Sequence, residues 1–472
     1  MILAMTTSTM TRTAGPAARG SRPAASSRSR QAAPVRGPGA RSVRAVIWLG
    51  SLAVLWFWWA GTSPSMGSTP GTAITAFGEL AGLIASFLVC AQVLLVARVP
   101  WFERAVGLDR LVSWHRSLGT TVLLLVLTHV GAMILGGMLS NHKTPWAELM
   151  AQLHTYSDIL PAIIGTVVFL VVGLTSARLL RRYLSYEWWF GIHFTIYGGI
   201  FLTFLHQISS GAHFVGSWPA KTVWFTMYAG TALAIVWWRV GLPLVQHVHL
   251  GLTVESVVNE AKGTTSVWLK GSGLDALQAR AGQFFLVRFL TPGHIWTAHP
   301  YSVSVVPTDE RVRFTIGALG DHSTAVRRIR PGTRVLLEGP FGKFTADRAR
   351  SRRVLLVAGG AGIGPVRALA EEFVSQGRDV VVVHRAHDAE RLALSREFPD
   401  YDTLHYVPLP GRRRDLGYDP LSPAVLGRVV PDIRQRDVFV CGPAAMTDTV
   451  VASARALGVP RAAIHHEELS LS

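Results

Sequence analysis

Apolar positions along this 472-residue chain fall into two regimes. Long unbroken runs fill the first half, and short, punctuated ones fill the second. Six runs, at about 46–62, 74–97, 111–138, 159–177, 188–209 and 221–240, approach the ~20 residues that cross a bilayer as a helix. From 249 the period shortens. "HLGLTVESVV" (249–258) alternates apolar with polar and predicts a half-buried strand. Further strand-like runs, broken by Gly and Pro, continue to about 345 and predict a small antiparallel β-barrel. From 353, "RVLLVAGGAGIGPVRALAEEF" reads as strand, glycine loop and helix, the start of an α/β domain on a parallel sheet. The expected organisation is a basic tail over 1–45, a six-helix transmembrane domain over 46–240, a barrel over 247–348 and an α/β domain over 351–472.

Composition agrees with membrane spans: 49% of residues are hydrophobic and the mean hydropathy is +0.31. The net charge of +17 suggests nucleic acid until its location is considered. Arg98, Arg104 and Arg110 follow the second run, Arg178, Arg181 and Arg182 the fourth, and Arg239 the sixth. The alternate loops hold only Lys143, Lys221 or no basic residue. That asymmetry fits the positive-inside rule. It predicts a multi-pass protein of the cytoplasmic membrane with both termini inside and no nucleic-acid partner. The tail is rich in Ala, Ser, Pro and Arg, has no acidic residue before Glu79, and is expected to be disordered. No cleavable signal peptide is evident. Cys90 and Cys441, the only cysteines, supply neither an iron–sulfur cluster nor a disulfide framework.

An ionisable side chain at membrane depth is costly, yet the third run keeps His115 and His129. Fourteen residues are ~21 Å of helical rise and end about 40° short of four turns, so both rings leave one face. The fifth run carries His193 and His206. Thirteen residues leave these rings ~140° apart on an ideal helix, so local unwinding or helix crossing is required, with Gly198 and Gly199 lying between them. Two helices of like direction, each with an inner and an outer histidine, predict two stacked bis-imidazole sites. These suit b-type haem, which takes axial nitrogens. Zinc fits less well, because two histidines per level leave too few ligands. Arg116 is either a propionate partner or a cytoplasmic anchor. His142, His154 and His213 read as surface residues of outer loops.

Three later segments carry nucleotide chemistry together. "AHPYSVSVV" (298–306) is followed by "ALGDHSTAVRRI" (318–329), where Ser323 or Thr324 can cap a helix aimed at phosphate. "LLVAGGAGIGPVRAL" (355–369) places Gly359, Gly360, Gly362 and Gly364 where backbone can approach a pyrophosphate. "DVFVCGPAAM" (437–446) ends a strand in Cys441-Gly442-Pro443, at the edge where α/β sheets bind ligands. Arg385 can meet a 2′-phosphate, favouring NADPH, or stack on adenine. Cys441 can equally be a small buried hydrophobe.

The four histidines with "HPYSVS", "GGAGIGP" and "CGP" resemble the ferric reductase and NADPH oxidase superfamily over about residues 46–472, and the second half resembles a ferredoxin–NADP reductase-type module. The resemblance implies FAD beside His299, Pro300, Tyr301, Ser302, Val303 and Ser304, and beside Gly320, Ser323 and Thr324. It implies NADPH or NADH at Gly359, Gly360, Gly362, Gly364 and Pro365, and at Cys441, Gly442 and Pro443. The chain departs from the family at Leu469, where an aromatic often covers the flavin, and in short outer loops without cysteine. The expected activity is electron transfer from cytoplasmic NAD(P)H through FAD and two b-type haems to an outer acceptor, a ferric chelate or O2. The alternatives are a haem-free tethered flavin reductase and a relay to a partner protein.

Overall fold

The computed structural model describes residues 39–156, 158–398 and 402–468. Residues 1–38 of the expected tail, and Leu469, lie outside the described residues. Helix α1 (Ala40–Gly61) begins before residue 46 because Val43 has a core to join. Val43 is buried with Leu95, Val106 and Leu111, and Arg44 lies over the Trp114 ring at 4.6 Å. Residues 40–45 are therefore helix rather than tail.

Helix α2 (Pro70–Val96) starts on a capping box between Thr69 and Thr72, with Pro70 in the first turn. The short α3 (Pro100–Val106) leads into α4 (Leu108–Asn141), and α5 (Pro145–Thr155) into α6 (Ile159–Ser176) and the single turn α7 (Arg178–Arg181). The fifth apolar run forms two helices, α8 (Tyr186–Phe194) and α9 (Ile196–Ser210). The sixth, α10 (Trp218–Val236), continues through a π-turn at Trp237–Gly241 into α11 (Leu242–Leu250). The strand expected from 249 thus starts at Thr253, after α11 ends on Gly251 in a left-handed conformation. Among the described residues six helical spans are long and apolar enough to cross a membrane. Their outward side chains, including Leu124, Val167, Phe201, Val223 and Leu233, are exposed. An apolar exterior of this kind requires lipid rather than water. The most enclosed span is α2, in which 44% of an 18-residue apolar stretch is buried.

The next six strands are β1 (Thr253–Ala261), β2 (Thr264–Lys270), β3 (Phe284–Phe289), β4 (His299–Ser302), β5 (Arg311–Gly317) and β6 (Val335–Phe341). They form two antiparallel sheets, β1-β2-β5 and β4-β3-β6. Bridges at Thr253–Arg334 and Val303–Phe314 join the sheets around Val254, Val267, Leu269, Phe285, Val287 and Phe314. The five-residue α12 (Asp321–Ala325) follows β5.

A parallel sheet follows, built from β7 (Arg353–Gly359), β8 (Asp379–Ala386), β9 (Leu404–Pro410), β10 (Asp437–Gly442) and β11 (Ile464–Glu468). Its order is β11-β10-β7-β8-β9. Helices α13 (Ile363–Ser375) and α16 (Ala444–Ala456) follow β7 and β10, with α14 (Arg413–Leu416) and α15 (Pro423–Val429) between β9 and β10. From β7 the chain runs outward through β8 and β9 and then returns to place β10 and β11 on the other side of β7, so the carboxyl ends of β7 and β10 form the crevice that binds ligands in such sheets.

The barrel is fastened to the end of the bundle that carries Arg98 and Arg104. Arg98 pairs with Glu338. The Gly342 N–H donates to Glu103 Oε1 at 3.0 Å, and Lys343 Nζ donates to the Ala105 carbonyl at 2.8 Å. Leu108 packs with Phe284, Leu286 and Phe341.

Candidate functional site

The four membrane histidines meet as two pairs. The His115 and His193 ring centres are 6.1 Å apart, and those of His129 and His206 are 6.2 Å apart. An imidazole nitrogen sits about 2.0 Å from a metal, which sets two ring centres on either side of one ion about 6 Å apart. Both pairs therefore have the spacing of two imidazoles that share one metal ion. Among the described residues no group of three or more His, Cys, Asp or Glu side chains gathers around a metal position. Two protein ligands per level suit a metal whose remaining ligands come from a macrocycle.

The 13-residue phase problem is resolved by a break between α8 and α9. Thr195 leaves the helix, its N–H bonding the Ile192 carbonyl at 3.1 Å and its hydroxyl donating to the same oxygen at 2.7 Å. This tightened turn, placed ahead of Gly198-Gly199, re-aims the helix that carries His206.

Helix α2 was not legible as part of this site, and it orients the α4 pair. His115 Nδ1 bonds the Gln92 carbonyl at 3.0 Å, and His129 Nδ1 bonds the Gly78 carbonyl at 2.8 Å. With Nδ1–H donating to a carbonyl, Nε2 carries the lone pair that binds metal. Gln92 and Gly78 are separated by 14 residues, the same step as His115 and His129 on the antiparallel partner. Gly82 admits the outer ring, since a Cβ there would lie 2.7 Å from His129 Nδ1. On the other helix, Ser176 Oγ lies 3.2 Å from His193 Nδ1. His206 Nδ1 is buried without a partner. Arg116 is exposed, as are His142 and His154. His213 is not a surface residue: its side chain is 7% exposed and lies 3.5 Å from Glu79, because Gly61 leaves room for the ring.

In the barrel, His299 and Tyr301 share one face of β4, their rings stacked 6.1 Å apart. Burial pushes the Tyr301 phenol above its ordinary range. Pro300 and Ser302 face the other way and are half-buried. Val303 and Ser304 are fully buried. Val303 joins the barrel core, and Ser304 accepts from Arg313 Nε at 3.0 Å. Ser323 Oγ accepts from the Leu319 and Gly320 amides, each at 3.0 Å, and the Thr324 amide bonds the Gly320 carbonyl at 2.9 Å.

At the α/β crevice, Gly360 takes φ +56° between β7 and α13, a left-handed turn that favours glycine. Gly362 lies against the Cys441 carbonyl and Gly359 against Met446. A Cβ on Gly364 would be 3.4 Å from both Ser304 and Thr315, so the glycine-loop helix is seated on the barrel. Pro365 is buried in its first turn. The crevice therefore brings the glycine loop beside Cys441-Gly442-Pro443. Cys441 itself is fully buried, and burial followed by the charge of Glu467 holds its thiol well above the ordinary range. Arg385 donates to the carbonyls of Ala386, Leu409 and Gly411, which ties its guanidinium to the β8–β9 edge. We expect Gly362→Ala to weaken nicotinamide-dinucleotide binding more than tenfold, because the new methyl collides with backbone that cannot rotate away. Titration of the purified chain with NADPH and NADH checks this.

Residues 81–204 match the family model described as ferric reductase like transmembrane component. The chain is 26% identical over 241 residues to a flavohemoprotein of Halalkalibacterium halodurans, covering 45% of this chain and 58% of that one. It is 28% identical over 205 residues to the ferredoxin--NAD(P)(+) reductase component of naphthalene 1,2-dioxygenase/salicylate 5-hydroxylase systems from a Ralstonia species, covering 40% and 60%. The chain thus spans about three-fifths of the length of these relatives. Among solved structures, the ferredoxin reductase in carbazole 1,9a-dioxygenase is similar over 46% of this chain and 68% of its own, with 21% identity and a TM-score of 0.41. In one chain, a segment similar to a ferric reductase like transmembrane component is followed by a barrel and a parallel α/β domain.

Proposed function

We propose that this chain is a transmembrane oxidoreductase that moves electrons from cytoplasmic NAD(P)H, through FAD and two b-type haems, to an acceptor on the outer face, a ferric chelate or O2. The observation that carries the proposal is the pair of facing imidazoles at each of two levels in an apolar bundle. Bound FAD accepts an electron pair from a nicotinamide and passes electrons on singly, and bound haem iron carries single electrons. The protein supplies position. His115 and His193 hold the inner haem, and His129 and His206 the outer one. The Gln92 and Gly78 carbonyls fix two of these rings in the metal-binding tautomer. His299 and Tyr301 present an aromatic face to the flavin, with Gly320, Ser323 and Thr324 forming the adjoining turn. The glycine loop and the Cys441-Gly442-Pro443 strand end bind the nicotinamide dinucleotide.

The direction follows from charge and attachment. The barrel sits at the bundle end that bears Arg98, Arg104 and Arg110, and basic loops are retained inside. NAD(P)H is consequently oxidised in the cytoplasm of a multi-pass protein of the cytoplasmic membrane. The purified chain should contain two haems per FAD, show a b-type reduced-minus-oxidised spectrum, and become reduced by NADPH or NADH. Acceptor assays then separate direct Fe(III) reduction from a superoxide dismutase-sensitive product. A flavin-loaded chain with no b-type band would overturn the haem assignment and leave a tethered flavin reductase. A haem-loaded chain that reduces neither acceptor would overturn both and leave a relay to a partner protein.

A further inference from the structure

The two histidines of the inner pair are held in different ways. His115 bonds a backbone carbonyl of α2, which the helix itself fixes. His193 bonds a serine hydroxyl, with Ser176 Oγ 3.2 Å from Nδ1. A serine side chain turns among staggered rotamers, so its oxygen orients a ring only when a further contact fixes it. Trp189 supplies that contact. Its indole Nε1 donates to Ser176 Oγ at 3.3 Å, and an indole N–H can only donate.

Trp189 stands four residues before His193 on α8, so the two side chains share a helix face. Their ring centres are 5.0 Å apart and their planes 30° from parallel. Arg181 lies over the same indole, 4.8 Å from the ring centre. It is itself tied through Nη1 to the Leu184 carbonyl at 2.9 Å. Two residues before Trp189, Glu187 interacts with His322 of the barrel. The start of α8 thus links the barrel to the inner pair. At the outer level the position four residues before His206 is Leu202, which has no donor to give. The ring planes differ as well. They lie 63° apart for His115 and His193, and 34° apart for His129 and His206.

We propose that Trp189 is a positioning residue for the inner haem, acting on His193 through Ser176. This rests on the haem reading above and adds a residue that no ligand motif contains. The indole N–H keeps an acceptor oxygen in front of His193 Nδ1, and the indole ring holds the plane of the imidazole. With Nδ1–H donating to Ser176, Nε2 carries the lone pair for iron. A hydrogen-bonded Nδ1–H also makes the imidazole a more basic ligand, which favours ferric over ferrous iron.

The test uses the full chain, purified with its haems in detergent, and reads each level by low-temperature EPR and by redox titration. The low-field g value of a bis-imidazole ferric haem grows as the ligand planes turn toward perpendicular. The two levels should therefore give separate signals, the inner one at lower field. The chain lacking His129 and His206 assigns the inner signal. Trp189→Phe keeps a ring and loses the N–H. It should shift the inner signal and raise the inner midpoint potential, with both outer values unchanged. Ser176→Ala should do the same more strongly, and Ser176→Thr, which retains the hydroxyl, should match wild type. Trp188→Phe is the control, since that ring is 73% exposed, and it should move neither level. Inner values unchanged in Trp189→Phe would overturn the proposal, as would equal shifts at both levels, which mark a loosened bundle. Should Trp189→Phe fail to accumulate, Ser176→Ala reads the same hydroxyl, and unchanged inner values there overturn the proposal too. A wild-type chain with no low-spin ferric signal would instead overturn the haem reading itself.

Discussion

Replacing both His129 and His206 with alanine should halve the haem content, from two per chain to one, and abolish delivery of electrons to the outer face. Reduction of the flavin by NAD(P)H should persist. The expectation follows from geometry. Among the described residues each level has two imidazoles, 6.1 and 6.2 Å apart, and no third ligand gathers with either pair. The inner pair is held independently, by Gln92 on α2 and by Ser176 on α6, and should keep its haem. The complementary His115→Ala/His193→Ala chain should retain the outer haem, which NAD(P)H no longer reduces. Haem extraction and quantitation, with the reduced-minus-oxidised spectrum, reads both variants. A b-type band of full intensity in either double variant would sink the assignment. Gly82→Leu tests the supporting helix separately. Its side chain would enter the space of the His129 ring, and a displaced partner of a metal ligand typically costs about 10–100-fold in affinity.

The paired histidines were legible because a buried histidine is expensive and conspicuous in an apolar run. Their supporting atoms were not, because backbone carbonyls leave no trace in residue identity. The available signal was indirect: the Gly78/Gly82 pair at a four-residue spacing, which lets helices approach closely, and a Gly78-to-Gln92 step that copies the histidine step. The break at Thr195 was required by the 13-residue phase, but its position depends on a local turn that glycine placement did not indicate. The parallel sheet and glycine loop were visible as a strand–helix pattern, and the barrel as short punctuated runs. The start of the barrel was read too early because "HLGLTV" alternates in polarity while α11 still continues to Leu250. The burial of His213 was missed for a tertiary reason. The space for its ring is created by Gly61, more than a hundred residues away.

The second large effect is expected at Glu397, a residue with no motif around it. Arg313 on β5 is 3% exposed and meets both Glu397 oxygens, Nη1 to Oε1 at 2.6 Å and Nη2 to Oε2 at 2.9 Å. Arg367 on α13 joins through Nε to Oε2 at 2.9 Å. Arg313 also holds the Ser304 carbonyl at 3.0 Å and lies over the Trp268 ring at 5.1 Å. One carboxylate thus ties the barrel strand that follows "HPYS" to the helix that follows the glycine loop. Glu397→Leu leaves the buried Arg313 guanidinium with its Ser304 contacts but no carboxylate, a change that costs at most about 3–5 kcal/mol. Nicotinamide-to-flavin transfer should slow in kcat more than KM rises, because binding surfaces survive while their relative placement loosens. Burial alone would raise the Glu397 carboxyl, but its hydrogen bond to Arg313 and the charges of Arg313 and Arg367 outweigh burial and hold it below the usual glutamate range. A depressed carboxyl stabilises the fold above its unfolded value, near 4.3, and that contribution disappears as pH falls through the folded value. Wild type should therefore lose stability below about pH 4, in a step that Glu397→Gln lacks. Flavin release monitored against pH and temperature, with stopped-flow reduction at pH 7, distinguishes this from a uniform loss of stability. Equal acid sensitivity in the two chains would show that the carboxylate does not hold these domains together.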